Sequence, residues 1–115
     1  NPASSSAESL RRVGDGEVRL VWNAATRAET EAVLRRIPRL DWSRFRPLFR
    51  AGDEYAGPAP PEDFPEIPDP ADRKFAALAA AAHADLVSND RHLLDHAPPG
   101  RMRIMTPSAF LASLG

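Results

Sequence analysis

Apolar positions in the first half of the chain alternate between helical and strand-like spacing. Ala7, Leu10 and Val13 recur every three residues, which is typical of one face of a helix. The continuous apolar run that ends at Trp22 is instead typical of a strand. The pattern predicts a helix over 4–13, which serines cap and Gly14 ends, and then a strand over 17–22. A second helix is expected over 24–37, between a cap at Asn23 and a stop at Pro38. A third is expected over 41–49, capped by Asp41 and split by Pro47.

The second half opens with a proline-rich, acidic stretch over residues 51–68. This stretch predicts a surface connector, or an extended edge segment around Glu66 and Ile67. Regular spacing returns after it, and an alanine-rich helix is expected from the Asp69–Asp72 turn to about His83. The remaining pattern predicts a strand over 85–88, a helical turn over 90–96, a strand over 101–105 and a helix over 107–114 that Thr106 caps.

Strands and helices therefore alternate along most of the chain. This order is typical of a parallel sheet with helices on both faces, so the predicted fold class is α/β. The 115 residues suffice for one domain with one modest core and leave no room for a second.

Composition narrows the possible chemistry. The chain has no cysteine, which excludes disulfides, thiolate nucleophiles and thiolate metal ligands. It also lacks a glycine-rich phosphate loop and the Gly-x-Ser-x-Gly elbow of serine hydrolases. No apolar run approaches the roughly 20 residues that cross a bilayer, and no signal peptide opens the sequence. We therefore expect a cytoplasmic protein without a membrane partner.

Charge is nearly balanced but unevenly distributed. The net charge is −1, fourteen of the fifteen cations are arginines, and ten of those arginines lie in the first fifty residues. Residues 51–72 hold seven acids and no base. Because arginine binds phosphate through two parallel hydrogen bonds, this distribution permits a nucleic-acid partner without requiring one.

Several acids are predicted to lie near one edge of the sheet. Ligands of open parallel sheets collect beyond the carboxyl ends of the strands. Asp90 follows the predicted strand over 85–88, and Asp69 and Asp72 open the helix that precedes it. An aspartate at the start of a helix is more often a cap than a ligand, so these three residues alone do not establish a site.

Glu29 is more informative. On a helical wheel it lies about 40° from Val33, on the same stripe as Ile37, and we expect this stripe to be buried. A carboxylate on an apolar face needs a partner, because burying it alone costs several kcal/mol. That partner is either an arginine, such as Arg27 or Arg73, or a divalent metal that other acids share.

The type of metal depends on the available ligands. Carboxylates without cysteine favour a hard cation, Mg²⁺ or Mn²⁺. His92 and His96 have the i, i+4 spacing of some zinc ligands, but this segment lacks the metalloprotease glutamate and supplies only two ligands. We therefore expect exposed histidines here and no zinc site.

Four segments, taken together, resemble one protein family. They are Asn23-Ala-Ala-Thr-Arg-Ala-Glu29-Thr-Glu-Ala-Val-Leu34-Arg-Arg, Asp69-Pro-Ala-Asp72-Arg-Lys-Phe75, Asp85-Leu-Val-Ser88-Asn-Asp90-Arg-His-Leu93-Leu94 and Ile104-Met-Thr-Pro107-Ser-Ala-Phe110-Leu111. In order and spacing they resemble the PIN-domain family over essentially the whole chain. Within that family, the sequence is most similar to the toxin components of bacterial toxin-antitoxin systems.

The resemblance implies a three-layer α/β/α sandwich with a central parallel sheet. It also implies a Mg²⁺- or Mn²⁺-dependent ribonuclease, acting as a toxin that a cognate antitoxin protein neutralises and often forming a homodimer. By position, Glu29, Asp72 and Asp90 would be the catalytic and metal-binding acids, Asp69 an auxiliary metal ligand, and Ser88 and Asn89 supporting residues.

One feature of the family is missing from the sequence. The family begins with an apolar strand that ends in Asp-Thr-Asn and supplies the first acid, whereas Asn1-Pro2-Ala3 resembles the segment immediately after that strand. We therefore expect residues 1–115 to form a single PIN-like domain that is truncated at its N-terminus and lacks the first strand. The alternative is a noncatalytic PIN-like interaction module without a complete metal site, in which the acids serve as caps and ion-pair partners.

Overall fold

Helices dominate the computed structural model, which describes residues 2–115 and the side chains from residue 4 onward. Helical segments take up 54% of the chain and strands 5%, so the predicted α/β/α sandwich is wrong. Within the described residues the α-helices are α1 (Pro2–Gly14), α2 (Ala24–Arg35), α3 (Arg73–Ala82), α4 (Arg91–Asp95) and α5 (Pro107–Ser113). Short 3-10 turns at Trp42–Arg44, Arg46–Leu48, Ala51–Asp53, Pro61–Asp63 and Pro70–Asp72 lie between α2 and α3. None of the described helices is long and apolar enough to cross a membrane.

The sheet consists of one short pair of strands. Among the described residues, β1 (Leu86–Val87) and β2 (Ile104–Met105) run parallel, with Leu86 opposite Ile104. The predicted strands over 85–88 and 101–105 are therefore confirmed in shortened form. The central sheet to which they were expected to belong does not form in this part of the chain.

The predicted strand over 17–22 is irregular instead. Within the described chain only Trp22 pairs with another segment, in an isolated parallel bridge to Glu54. The two amides at the start of the segment donate to the carbonyl of Arg12, which completes the end of α1. A strand needs partners along its length, and within the described chain only Trp22 has them, so the apolar run does not extend into a sheet.

Helix starts mostly follow the caps in the sequence. Asn23 and Thr26 form a reciprocal capping box at α2, with Thr26 N–H donating to Asn23 Oδ1 at 2.9 Å and Asn23 N–H donating to Thr26 Oγ1 at 3.1 Å. Asp41 acts as a cap, as predicted, but the helix predicted over 41–49 consists of two 3-10 turns, Trp42–Arg44 and Arg46–Leu48. The exception is α1, which begins at Pro2, so the serines at 4–6 lie inside the helix and do not cap it.

The main core lies between α3, α4, the strand pair and the proline-rich stretch. Its most buried large side chains, Phe64 and Ile67, are 1% and 0% exposed. They pack against the alanines of α3 and against Leu93 of α4. Because small alanines leave space on the face of α3, large side chains from an irregular segment can fill it. The prediction of a surface connector or edge segment is therefore wrong for the part of 51–68 that carries these two residues.

A second apolar cluster holds the segment that follows α2. Trp42 contacts Phe49 with ring centroids 5.7 Å apart, and Phe49 meets Trp22 edge-on at 6.1 Å. Trp22 Nε1 donates to the carbonyl of Arg50 at 2.7 Å. The guanidinium of Arg27 lies 5.5 Å from the centroid of the Trp22 ring. These contacts attach the segment firmly to the helices around it.

Candidate acidic site

Two of the predicted site acids lie where α2 and α3 meet. Glu29 is in the middle of α2, and Asp72 directly precedes α3. A cavity of about 220 Å³ lies between the helices. Its lining consists of Glu29, Thr30, Val33, Leu34, Asp72 and Phe75. Two of the predicted site acids therefore face the same cavity.

Asp72 has the most unusual environment of the predicted acids. Its carboxylate makes no cap hydrogen bond at α3 and no ion pair with any residue that the structure describes. Burial raises the pKa of Asp72 above its usual range, and the negative charges of Asp69, Asp90 and Glu29 raise it further, while His92 lowers it. The structure thus places Asp72 within electrostatic range of Asp69, Asp90 and Glu29.

Asp69 and Asp90 cap the elements that follow them. Asp69 accepts a hydrogen bond from Ala71 N–H at 2.9 Å, at the start of a 3-10 turn. Asp90 accepts one from His92 N–H at 2.9 Å, at the start of α4. Both bonds use only the Oδ1 oxygen. The cap interpretation therefore applies to Asp69 and Asp90, whereas the carboxylate of Asp72 caps nothing.

Ser88 and Asn89 shape the loop between β1 and α4. Ser88 Oγ accepts a hydrogen bond from Asp90 N–H at 2.9 Å, which turns the backbone toward α4. Asn89 Nδ2 donates to Ser6 Oγ on α1 at 3.3 Å. The loop that carries Asp90 is therefore held both within itself and against α1.

Glu29 has a partner that the sequence analysis missed. Lys74 Nζ lies 2.9 Å from Glu29 Oε1, and the two side chains are 25% and 30% exposed. The expected partners are engaged elsewhere, because Arg27 stacks on aromatic rings and Arg73 donates to backbone carbonyls. One feature of the sequence could have indicated this pair: Lys74, the only lysine of the chain, lies in the motif segment over 69–75.

The apolar stripe of α2 is less buried than expected. Val33 and Ile37 are 43% and 44% exposed, and the predicted burial of this stripe is therefore wrong. The ion pair shows that α3 meets α2 near Glu29, so the last turn of α2 stays uncovered. Glu29 stands at the edge of a half-open cavity and not in a closed apolar interior.

The four acids are suitable ligands for a hard cation, but their positions in the structure do not form a metal site. Carboxylate oxygens are the ligands that Mg²⁺ and Mn²⁺ prefer. Within residues 2–115, however, no three acid, histidine or cysteine side chains converge closely enough to hold a metal ion. Glu29 is instead bonded to the ammonium group of Lys74. A metal site here would require Glu29 to exchange that ammonium for the ion.

A larger cavity, of about 340 Å³, lies at the opposite ends of the two strands. Residues 83–85 and 100–103 line it. Its charged side chains satisfy one another, since Arg103 donates to both carboxylate oxygens of Asp85, at 3.1 and 2.9 Å. This cavity therefore lies at the opposite end of the strand pair from Asp90, and Asp85 has the cationic partner that Asp72 lacks among the described residues.

No protein-family model matches the chain, and no curated protein and no solved structure matches it either. Any function must therefore be argued from the side chains of the acidic site and from the order of the four motif segments. The acidic site is defined from here on as Glu29, Asp69, Asp72 and Asp90.

Replacing Lys74 tests how far the ion pair offsets the charge of the acidic site. Lys74→Gln leaves Glu29 partly buried beside Asp72 without a cation. We expect the free energy of unfolding in EDTA to fall by about 1–2 kcal/mol, between the values typical of exposed and buried pairs. Lys74→Arg keeps the positive charge, so its free energy of unfolding should fall much less. Urea unfolding of both variants at pH 7 measures this difference, and equal losses would contradict the electrostatic explanation.

Proposed function

We propose that this protein hydrolyses RNA in a reaction that depends on a divalent cation, as the toxin of a PIN-type toxin-antitoxin pair. The observation that carries the proposal is the position of Asp72, a partly buried carboxyl with a raised pKa among three other acids. The same four residues are those that the resemblance assigns to the nuclease site. The support comes from the charges around Asp72 and from the motif order, since the three-layer fold of the family is absent from the described residues.

Each residue of the site has a role in this proposal. Glu29, Asp72 and Asp90 would hold Mg²⁺ or Mn²⁺, with Asp69 as an auxiliary ligand. The chemistry that such an ion supplies when bound is polarisation of the phosphoryl group and a more acidic water. A carboxylate of the site that is not bound to the ion would orient the attacking water or accept its proton. Ser88 would keep Asp90 in place through its bond to the Asp90 amide.

The proposal includes partners and a location. RNA is the substrate, a cognate antitoxin protein is the inhibitor, and a second copy of the chain is the partner in a homodimer. A cytoplasmic location belongs to the proposal because RNA and antitoxin would meet the protein there. The half-exposed cavity beside Val33 is open enough for an inhibitor to reach the acidic site.

Metal addition tests the proposal through two independent readouts. Protein freed of metal with EDTA is titrated with Mn²⁺ or Mg²⁺ while thermal unfolding is followed. Binding to the folded state alone adds about 2.7 kcal/mol of stability when the ion is at 100 times its Kd. In parallel, labelled RNA should be cleaved with either ion and left intact in EDTA. Absence of both a stability gain and cleavage at millimolar Mn²⁺ would overturn the proposal.

A second candidate function is a noncatalytic interaction module. The Glu29–Lys74 ion pair and the cap made by Asp90 favour it, because both acids then have structural partners. The two candidates differ in how Lys74→Gln responds to metal. In the nuclease the variant should bind Mn²⁺ more tightly than the wild type, since a competing cation has been removed. In the module neither protein should be stabilised by metal.

A further inference from the structure

An exposed run of arginines begins at the end of α2. Residues 35–50, called here the arginine segment, contain six arginines and one acid, Asp41. Arg35 pairs with Glu31 at 2.7 Å, and Arg50 donates to the carbonyl of Val13 at 2.9 Å. The other four are exposed, and their side chains form no ion pair or hydrogen bond with any residue that the structure describes. They are Arg36, Arg39, Arg44 and Arg46.

The remaining arginines of the described chain all have partners. Three kinds of contact occur, alone or combined: ion pairs with acids, hydrogen bonds to carbonyls and stacking on aromatic rings. The arginines concerned are Arg11, Arg12, Arg19, Arg27, Arg73, Arg91, Arg101 and Arg103. Among the described residues, the arginines whose guanidinium groups have no ion pair, hydrogen bond or stacking partner therefore all lie in the arginine segment.

The backbone of the arginine segment is ordered. Trp42 and Phe49 anchor it in the aromatic cluster, and Asp41 accepts hydrogen bonds from the amide and hydroxyl of Ser43 at 3.0 and 2.8 Å. These hydrogen bonds lower the pKa of Asp41, the one acid in the segment. Arginines on an ordered backbone lose less conformational freedom on binding than arginines on a disordered backbone.

The first of the four exposed arginines, Arg36, lies on the face of α2 that carries Glu29. Arg36 follows Glu29 by seven residues, which is about two helical turns, so it lies on the same face about 10 Å farther along the axis. Val33 lies between them, lines the cavity and is 43% exposed. Val33 therefore forms an exposed surface between the acidic site and Arg36, the first of the four arginines.

We propose that the arginine segment binds the phosphate backbone of the RNA whose scissile phosphate lies at the acidic site. Uncompensated guanidinium groups bind phosphates through paired hydrogen bonds and supply the sequence-independent part of nucleic-acid affinity. The identity of the bound strand as the one that is cut rests on the proposed function. Binding itself requires neither metal nor cleavage.

Binding in EDTA separates this proposal from catalysis. The probe is a fluorescently labelled single-stranded RNA, followed by anisotropy over a series of KCl concentrations. In the test variant Arg36, Arg39, Arg44 and Arg46 are all replaced by Gln. The matched control replaces Arg11, Arg19, Arg91 and Arg103 by Gln, which removes the same charge from exposed arginines that pair with acids.

The test variant should lose affinity by at least about tenfold, and its salt slope should fall by about 0.7 for each lost phosphate contact. The control variant should keep most of the affinity and the slope. Equal losses in the two variants, or no binding by the wild type, would overturn the proposal. Binding to phosphatidylserine vesicles that depends on the arginine segment, while RNA binding does not, would overturn it as well.

A single substitution, Arg39→Gly, tests the same proposal in a protein that keeps its fold. Arg39 has φ 67°, a left-handed conformation that glycine adopts freely, so Arg39→Gly removes one cation without strain. It should weaken RNA binding and reduce the salt slope, and an unchanged slope would count against the proposal. If RNA binding depends on the arginines but metal produces no cleavage, only the proposed function fails. If cleavage occurs and the four-arginine variant has an unchanged KM, only the present proposal fails.

Discussion

Asp72→Asn should reduce metal-dependent RNA cleavage by at least about 100-fold, the lower range of what a positioned acid or base contributes, while the protein stays folded. Asparagine is nearly isosteric with aspartate, and Asp72 has no cap hydrogen bond or described ion pair to lose. The substitution also removes repulsion from the other acids of the site. We therefore expect a variant that is inactive and at least as stable as the wild type in EDTA.

The pH dependence of stability checks the same residue by another route. Burial and neighbouring acids raise the pKa of Asp72 in the folded state, so the folded protein binds this proton more tightly than the unfolded chain does. The stabilisation of the folded state by this proton is complete below about pH 4, the usual pKa of an aspartate. It is lost as the pH rises through the pKa that Asp72 has in the folded state. The stability of Asp72→Asn relative to the wild type should therefore increase from about pH 4 toward neutrality.

A matched control lies on α4. Asp95 is 57% exposed and makes only a long pair with Arg91, at 3.6 Å, so Asp95→Asn should cleave RNA at the wild-type rate. Cleavage assays in Mn²⁺ and urea unfolding in EDTA are performed on all three proteins. Wild-type cleavage by Asp72→Asn would refute the site assignment, and a loss of stability in this variant would refute the argument from repulsion.

Phe64→Ala should lower the free energy of unfolding by about 3–5 kcal/mol, the usual cost of emptying a large aromatic site in a core. Phe64 is 1% exposed and belongs to the main core with Ile67. The guanidinium of Arg101 also stacks on its ring, 4.1 Å from the centroid. Since small domains are stable by only about 5–15 kcal/mol, a loss of this size would leave the variant marginally folded.

Urea unfolding with a fitted slope measures this loss. Glu66→Ala is the control in the same stretch, because Glu66 is exposed and its replacement should change stability by no more than about 0.5 kcal/mol. A loss below about 1 kcal/mol for Phe64→Ala would mean that the stretch is a surface connector after all, as its composition suggested.

Local signals in the sequence predicted the starts of several helices correctly. Asn23 at α2, Asp90 at α4 and Thr106 before Pro107 at α5 each cap the helix that follows them. A cap bonds to an amide two or three residues away, so its effect is contained in a few consecutive residues. These starts could therefore be predicted without any knowledge of the fold.

Pairing between distant segments could not be predicted in the same way. The apolar run over 17–22 indicated a strand, but only Trp22 finds a strand-like partner among the described residues, at Glu54. The proline-rich stretch indicated a connector, yet Phe64 fills the space above the alanines of α3. Apolar composition determines that a segment tends to be buried, whereas the neighbours that bury it depend on how the whole chain packs.

The sequence by itself determined the chemical inventory of this protein: a cysteine-free chain, carboxylates as the available metal ligands, caps for its helices and an arginine-rich first half. Only the tertiary structure decided which charges meet. It bonded Lys74 to Glu29, left Asp72 without a described ion pair among the acids, and left four arginines of one segment without partners among the residues described. The physical reason is that ion pairing, burial and repulsion depend on distances of a few ångströms in space, and spacing along the chain does not define these distances between separate elements.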